Sequence, residues 1–196
     1  MNTKIYLASA SPRRQELLAL TGLEFEVHPL EDIDESSLLK GYDGEVVGQA
    51  EHLARAKAKI ALGLGLPGIF ITADTLVISD DGTVLGKPRD AAEASLFLDR
   101  LAGNWHTVAT GVALAENPSG RVGSVLESTR VKFAPMTDQE IRDYIATGEP
   151  FDKAGGYGIQ GRASVYIARI DGCYFNVVGF PLHAFWNLWR QFTGLT

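Results

Sequence analysis

A carboxylate inside the most strand-like run of the sequence is the first candidate for chemistry. Asp74 interrupts the apolar run 69–78, and burying a carboxylate is costly unless it meets a metal ion, a cation or several hydrogen-bond donors. An aspartate at a strand end that faces water is the simpler alternative. Because apolar residues continue beyond Asp74, the sequence favours a functional carboxylate.

A second candidate is the stretch Ser9-Ala10-Ser11-Pro12-Arg13-Arg14 near the start of the chain. Ser11 suits a helix N-cap, and Pro12 suits the first helical position. Arg13 and Arg14 then fall in the first turn, where the helix dipole disfavours cations. Free N–H groups, two guanidiniums and serine hydroxyls predict an anion site suited to a polyphosphate. The alternative is a capped helix with two solvated arginines.

Two lysines occupy positions where their charge needs an explanation. Residues 45–64 show a helical period, and Lys57 falls in the middle of the apolar face. Such a lysine either extends to the edge of that face or points into a cleft to meet an anion, and we favour the cleft. Lys87 lies in an extended segment, because Pro88 disfavours helix at the residue before it.

Composition limits the classes of function. The 196 residues carry a net charge of −6, so no basic surface indicates a nucleic-acid partner, and an anionic ligand must be held by a few placed cations. One acidic stretch, 31–35, is either solvated charge or a supply of carboxylates for a hard cation such as Mg²⁺. The single cysteine excludes an internal disulfide, and no apolar run could span a bilayer or act as a signal peptide. We therefore expect a cytoplasmic protein with no membrane partner.

The length of 196 residues suits one domain over residues 1–196, or two small lobes that share a sheet, with enough chain to bury a core. Strands are predicted at 5–7, 25–27, 69–78, 84–85, 105–112, 122–133, 165–170 and 174–178. Helices are predicted at 12–20, 45–64, 91–101 and around 141–145, with a last one after Pro181. We expect the final two strands to form a hairpin over Asp171-Gly172.

Two further segments each allow two interpretations. The stretch 151–161 is dense in glycine, which either permits close backbone approach to a ligand or gives a flexible connection. The aromatic residues of the C-terminal helix are explained either by core packing or by a subunit interface.

Ser9-Ala10-Ser11-Pro12-Arg13-Arg14 with Glu16-Leu17-Leu18 resembles the opening motif of the Maf family of nucleoside triphosphate pyrophosphatases, once named septum formation proteins. The resemblance continues in order through five further motifs. These are Asp34-Glu35, Leu53-Ala54 with Lys57-Ala58, Ala73-Asp74-Thr75, Lys87-Pro88-Arg89-Asp90, and the stretch from Asp152 to Gly161. It covers nearly the whole chain, and six ordered motifs are specific where any one alone would be weak.

The resemblance implies an α/β fold of the Maf or inosine-triphosphatase kind: two lobes around an extended, twisted mixed β-sheet flanked by helices, with a nucleotide cleft between the lobes. It implies hydrolysis of a nucleoside triphosphate to the monophosphate and pyrophosphate with a divalent metal cation, Mg²⁺ or Mn²⁺. The Ala-Asp-Thr and Gly-Ile-Gln-Gly forms resemble the branch that acts on dTTP and UTP, including modified pyrimidine nucleotides, in housecleaning of the nucleotide pool. Dimers are common among members, so the resemblance leaves a homodimer open.

The same resemblance gives the cationic candidates roles on the phosphates. Ser9, Arg13 and Arg14 would bind the triphosphate at the helix N-terminus. Lys57 and Lys87 would be catalytic by balancing charge along the phosphates and on the leaving pyrophosphate.

Metal binding, proton transfer and base recognition fall to the remaining candidates. Glu35 and Asp74 would hold the metal or its water, with Asp74 as the base for attack on the α-phosphorus. Thr75 and Gln160 would bind the base, because an amide can pair with a pyrimidine's carbonyl and imide edge. One departure from the family is Thr72, where glycine usually precedes the Ala-Asp-Thr motif.

Two alternatives to a pyrimidine-preferring enzyme stay open. One is the same reaction on a modified purine triphosphate such as methylated GTP. The other, from a different class, is a nucleotide-binding regulator of cell division with little turnover. A regulator would not need Glu35, Lys57, Asp74 and Lys87 all kept as carboxylates and amines, which favours the enzyme.

Overall fold

A seven-stranded mixed sheet runs through the protein. The structure is a computed structural model and describes residues 3–195. The strands are β1 (Ile5–Leu7), β2 (Glu26–Val27), β3 (Gly68–Ser79), β4 (Val84–Leu85), β5 (Trp105–Asn117), β6 (Val122–Phe133) and β7 (Ile167–Asp171). Their order is β2-β1-β3-β5-β6-β7, with β4 paired to β3. Strand β1 pairs parallel with β2 and β3, whereas the β3–β4 and β6–β7 pairs are antiparallel.

Helices alternate with these strands, which confirms the α/β class. They are α1 (Pro12–Ala19), α2 (Glu35–Leu38), α3 (Gln49–Leu62), α4 (Ala91–Leu101), α5 (Asp138–Ile145), α6 (Tyr174–Val178) and α7 (Leu182–Thr193). Short 3-10 turns occupy Val46–Gly48, Glu149–Asp152, Ala154–Gly156 and Arg162–Tyr166. The predicted cap of α1 forms, because the Ser11 side chain accepts from the Arg14 amide. At the start of α5, Thr137 and Glu140 make a reciprocal capping box.

The chain divides into two compact units, in agreement with the expected two lobes. Unit 1 contains the chain up to Asp74, residues 110–127, and the chain from Gly179 onward; unit 2 contains residues 75–109 and 128–178. Strands β3, β5 and β6 each contribute residues to both units.

In unit 1, helix α3 packs closely on strand β5 because both present small residues. A Cβ placed on Gly111 of β5 would collide with the backbone of Ala50 in α3. Thr72 of β3 adds a tie to the same helix, since its hydroxyl donates to the Ala54 carbonyl at 2.7 Å. The buried alanine cluster shared by α3 and β5 consists of Ala54, Ala58, Ala113 and Ala115.

Helix α7 contributes aromatic side chains to the core of unit 1. Phe185, Trp189 and Phe192 are buried, and the rings of Phe180 and Phe185 lie 4.9 Å apart. Core packing therefore explains three of the aromatic residues that the sequence places on this helix.

In unit 2, the glycine-rich stretch contributes Tyr157 to a buried aromatic cluster. The Nε2 atom of His106 lies 2.7 Å from the Tyr157 hydroxyl, and the Phe133 ring is tilted or perpendicular to both of their rings. Burial lowers the pKa of His106 to about 4. The imidazole is therefore neutral in the folded protein at neutral pH.

The predicted strand at 174–178 is wrong, because these residues form α6. The buried amide of Asn176 donates to the Val108 carbonyl and to the Thr129 hydroxyl, at 2.8 and 2.9 Å. The Thr129 hydroxyl also bonds both the N–H and the carbonyl of Cys173. These long-range bonds fix the turn ahead of the segment and outweigh the strand preference of its Tyr, Phe and Val residues.

Three apolar residues of the helical stretches predicted at 12–20 and 45–64 are exposed. Leu20, just past α1, is 69% exposed, and Ile60 and Leu64 are 39% and 42% exposed. The buried stripe of α3 is narrow because alanines form most of it, and the helix ends before Leu64. In the described part of the chain, no helix is both long and apolar enough to cross a membrane.

Candidate active site

Lys57 joins the two carboxylates that the sequence singled out. Its Nζ lies 2.6 Å from Glu35 Oε1 and 2.5 Å from Asp74 Oδ1. The three groups come from three elements of unit 1: α2, α3 and β3. The Lys57 side chain is 12% exposed, so the apolar face of α3 directs the ammonium inward, as predicted. There it contacts the carboxylates of Glu35 and Asp74.

Asp74 is buried although it carries an ionisable group. Only 8% of its side chain is exposed, and this burial raises the pKa of the carboxyl above its ordinary value. The Lys57 ammonium opposes that rise, and the nearby Glu35 carboxylate adds to it. The balance gives a carboxylate more basic than one exposed to water.

Glu35 differs from Asp74 in exposure. Half of its side chain is exposed, at 53%. It begins α2, where Asp34 is the N-cap and accepts from the Ser37 amide at 3.2 Å. The predicted acidic loop therefore splits into a capping aspartate and a glutamate that reaches Lys57.

Arg14 lies at the N-terminus of α1 but is held by backbone carbonyls. Its Nε donates to the Gly179 carbonyl at 3.1 Å, and its Nη1 donates to the Ala73 carbonyl at 2.9 Å. Burial lowers the pKa of Arg14, and Asp74 opposes that shift. Arg14 therefore fixes the backbone beside Asp74.

Ser9 connects strand β1 to this arrangement. Its buried hydroxyl accepts from the Ser11 amide at 3.3 Å and from Arg14 Nη1 at 3.5 Å. Arg13 follows Pro12 in the first turn and is half-buried. The predicted anion-binding residues thus share the N-terminus of one helix in unit 1.

Glu35 and Asp74 are the residues that could hold a divalent cation. Among residues 3–195 no group of three or more His, Cys, Asp or Glu side chains forms a metal site. Mg²⁺, however, is usually bound through one or two carboxylates, with water and substrate phosphates as the other ligands. Glu35 Oε1 and Asp74 Oδ1 both contact the Lys57 ammonium, so two carboxylate oxygens already lie close together, which fits that mode of binding.

The remaining predicted residues belong to unit 2. Thr75 directly follows Asp74 in β3 and is half-buried. Lys87 is exposed in the extended segment after β4, next to the buried Pro88. Gln160 is exposed in a turn closed by a bond from the Gly161 amide to the Gly158 carbonyl at 3.0 Å.

The glycines of the glycine-rich stretch accommodate the protein's own side chains. A Cβ on Gly155 would lie 2.7 Å from Val77 Cγ1, one on Gly158 would lie 2.7 Å from Lys153 Cε, and one on Gly161 would collide with the Glu149 carboxylate. Three glycines of this stretch therefore lie where a side chain would not fit without a shift of its neighbours.

Sequence reasoning missed the partners that hold the predicted residues in place. Gly179 and Glu149 carry no motif that marks a role, and Gly179 is 165 positions from Arg14. No local pattern could have paired them. Two local signals marked the cluster of Glu35, Lys57 and Asp74: Asp74 inside an apolar strand, and Lys57 on the apolar face of its helix.

Comparison with known proteins gives a single family. The model described as Maf-like protein matches residues 4–192. A protein of Carboxydothermus hydrogenoformans named dTTP/UTP pyrophosphatase is 47% identical over 96% of this chain and 98% of its own length. Proteins of the same name from Symbiobacterium thermophilum and Acetivibrio thermocellus are 48% and 43% identical, over 96% of this chain and 94% and 95% of their own. The chain therefore belongs to the Maf family.

Proposed function

We propose that this protein hydrolyses nucleoside triphosphates, with dTTP and UTP preferred, to the nucleoside monophosphate and pyrophosphate. The observation that carries the proposal is the buried Asp74, held by Lys57 against Glu35 in a chain 43–48% identical to proteins named dTTP/UTP pyrophosphatase. A purely structural ion pair would not explain why a charged cluster lies beside a helix N-terminus that carries two arginines.

The proposed reaction is attack by water on the α-phosphorus. Asp74 takes a proton from the water as its oxygen bonds to the α-phosphorus, and the bond from that phosphorus to the bridging oxygen breaks to release pyrophosphate. Burial raises the pKa of Asp74, which makes it a better base than an exposed aspartate. Lys57 offsets the charge that develops on the phosphate oxygens.

A divalent cation, Mg²⁺ or Mn²⁺, belongs to the proposal, with Glu35 and Asp74 as its protein ligands. When bound it would neutralise phosphate charge and lower the pKa of water. For the cation to take this position, the Lys57 ammonium must leave the two oxygens it now contacts. The triphosphate supplies a new anionic partner for Lys57, so we expect metal and nucleotide to bind together.

Substrate binding is divided among the other predicted residues. Ser9, Arg13 and the amides at the start of α1 are proposed to bind the triphosphate, with Arg14 fixing the local backbone as well as adding positive charge. The proposed role of Lys87 is contact with the leaving pyrophosphate.

Thr75 and Gln160 are proposed to bind the base of the nucleotide and to select for pyrimidines. We also propose that the chain forms one catalytic domain in the cytoplasm, with a homodimer as the assembly to test by sedimentation.

The decisive experiment is pyrophosphate release, with Mg²⁺, from dTTP, UTP, CTP, dATP, GTP and a methylated GTP. Release from dTTP and UTP above the others supports both reaction and base preference. Release from a purine nucleotide alone keeps the chemistry and contradicts the base preference. Nucleotide binding without release from any of them contradicts the enzyme and favours the cell-division regulator.

A further inference from the structure

Two backbone amides that flank Gln160 are held by one pair of side chains. The Arg162 amide donates to Glu149 Oε2 at 2.9 Å, and the Gly158 amide donates to the Tyr144 hydroxyl at 3.4 Å. These amides lie two residues after and two residues before Gln160. The backbone on both sides of Gln160 is therefore anchored to Glu149 and Tyr144.

Glu149 and Tyr144 are also bonded to each other. The Tyr144 hydroxyl donates to Glu149 Oε1 at 2.9 Å, so the two carboxylate oxygens serve different partners. Burial and the Glu149 carboxylate raise the pKa of Tyr144, which keeps the phenol protonated as a donor. Both oxygens of Glu149 are thus committed to ordering the protein, and neither is needed for proton transfer.

The chain wraps around Glu149 in a way that requires glycine. A Cβ on Gly161 would collide with the Glu149 carboxylate, and one on Gly158 would press on the Lys153 stem. Lys153 in turn donates to the Glu149 carbonyl at 2.9 Å. Because Gly158 and Gly161 have no side chains, the turn can pack directly against the Glu149 carboxylate. The carboxylate fills the space that side chains at these positions would occupy.

We propose that Glu149, together with Tyr144, is a positioning residue that sets the orientation of Gln160 and so the selectivity for the base. The inference rests on the proposed function, in which Gln160 binds the base. An amide discriminates between bases only if its donor and acceptor are held in a fixed direction, and the side chain of Gln160 is exposed and gains that direction only from its backbone.

The test compares Glu149→Gln with Gln160→Ala and with Glu140→Gln. Gln has the shape of Glu but only one acceptor oxygen, so it cannot accept from the Arg162 amide and from the Tyr144 hydroxyl at the same time. Glu140→Gln is the matched control: it weakens the capping box of α5, the helix that carries Tyr144, without touching the turn. For each variant, kcat/KM is measured for UTP and for CTP, along with Tm and amide exchange.

We expect Glu149→Gln and Gln160→Ala each to lower the UTP-to-CTP ratio of kcat/KM about tenfold, and Glu149→Gln also to speed exchange of the Gly158 and Arg162 amides. In the Gln160→Ala background, Glu149→Gln should change the ratio no further. Glu140→Gln should lower Tm and leave the ratio unchanged. If Glu149→Gln does not fold, Tyr144→Phe, which removes the other anchor, carries the same test.

Equal losses on UTP and CTP would overturn the inference, since they indicate a merely structural role. So would faster amide exchange with an unchanged ratio, and that result leaves the proposed function intact. If instead Gln160→Ala leaves the ratio unchanged, the base-reading part of the proposed function fails, and the inference falls with it.

Discussion

Lys57 determines the charge balance of the candidate site. One ammonium faces two carboxylates, so the cluster carries a net negative charge beside the cationic start of α1. The two carboxylates differ in exposure: Asp74, the proposed base, is buried, and Glu35 is half-exposed.

Replacing Asp74 with asparagine should abolish the reaction without harming the fold. We expect kcat for pyrophosphate release to fall about 10³-fold, because the base is lost while the shape is kept. Burial of the ionised carboxylate disfavours folding at neutral pH, so Tm at pH 7 should not decrease. Asp80→Asn, at an exposed aspartate of the same strand–turn region, is the control. Near-normal turnover in Asp74→Asn would exclude the mechanism.

Replacing Lys57 with methionine should tighten metal binding in the absence of nucleotide. The ammonium contacts the oxygens that the cation needs, so its removal should raise Mn²⁺ affinity about tenfold, as measured by paramagnetic resonance titration. Lys59→Met, on the exposed face of α3, should bind Mn²⁺ like the unmodified protein. Equal affinities for all three proteins would remove Glu35 and Asp74 as the metal ligands.

At the scale of elements, α3 and its contact with β5 position Lys57. Alanines on α3 and Gly111 on β5 bring the two backbones together, and the Lys57 ammonium on the same helix contacts Glu35 and Asp74. The period of α3, and Lys57 within its apolar face, were readable from the sequence. The narrowness of the buried stripe was not, because it depends on a glycine in another element.

Gly111→Ala should therefore destabilise the protein. A methyl group there meets the Ala50 backbone, which cannot rotate away, so the free energy of unfolding in urea should fall by about 2 kcal/mol. Gly86→Ala is the matched control, since a Cβ at Gly86 has no neighbour within 4 Å. A loss of the same size in both variants would mean that the α3–β5 contact can relax.

The errors in the predicted elements have a common cause, which is contact with distant parts of the chain. Segment 174–178 has strand-forming residues, yet Asn176 and Thr129 draw it into a helix through bonds across more than 40 positions. Strand β5 runs to Asn117, five residues beyond the prediction, because its alanines pack on α3 as well as any β-branched residue would. Local patterns give the type of most elements, and distant partners decide the rest.

For the molecule as a whole, the buried His106 makes stability depend on pH. Its pKa falls from 6.5 to about 4 on folding, so between these values the unfolded chain takes up a proton that the folded chain excludes. The free energy of unfolding should therefore decrease as pH falls from 6.5 to 4, by about 3 kcal/mol from this group. Urea unfolding at pH 7 and pH 4.5 measures it.

His106→Gln should reduce that pH dependence, whatever its effect on stability at pH 7. His183→Gln, at an exposed histidine on α7, should keep the slope of the unmodified protein. An unchanged slope in His106→Gln would show that other groups produce the acid sensitivity.

The fold class, the family and the residues of the Lys57 cluster were all predictable. Six ordered motifs indicate the family and its fold, and Lys57 stands out as a charge on an apolar helix face. The contacts that each residue makes within the site were not predictable. Arg14 was expected on the triphosphate, yet two backbone carbonyls hold it, one of them at Gly179. Such contacts exist only once distant parts of the chain have met.

The shared ammonium also constrains how this sequence can change over generations. Losing Lys57 alone leaves two carboxylates facing each other, and losing Asp74 alone removes the base, so each single step is harmful. An apolar pair at both positions would restore packing without restoring turnover. A lineage that abandons the reaction should therefore lose both residues together, and in descendants the presence of one without the other should be rare.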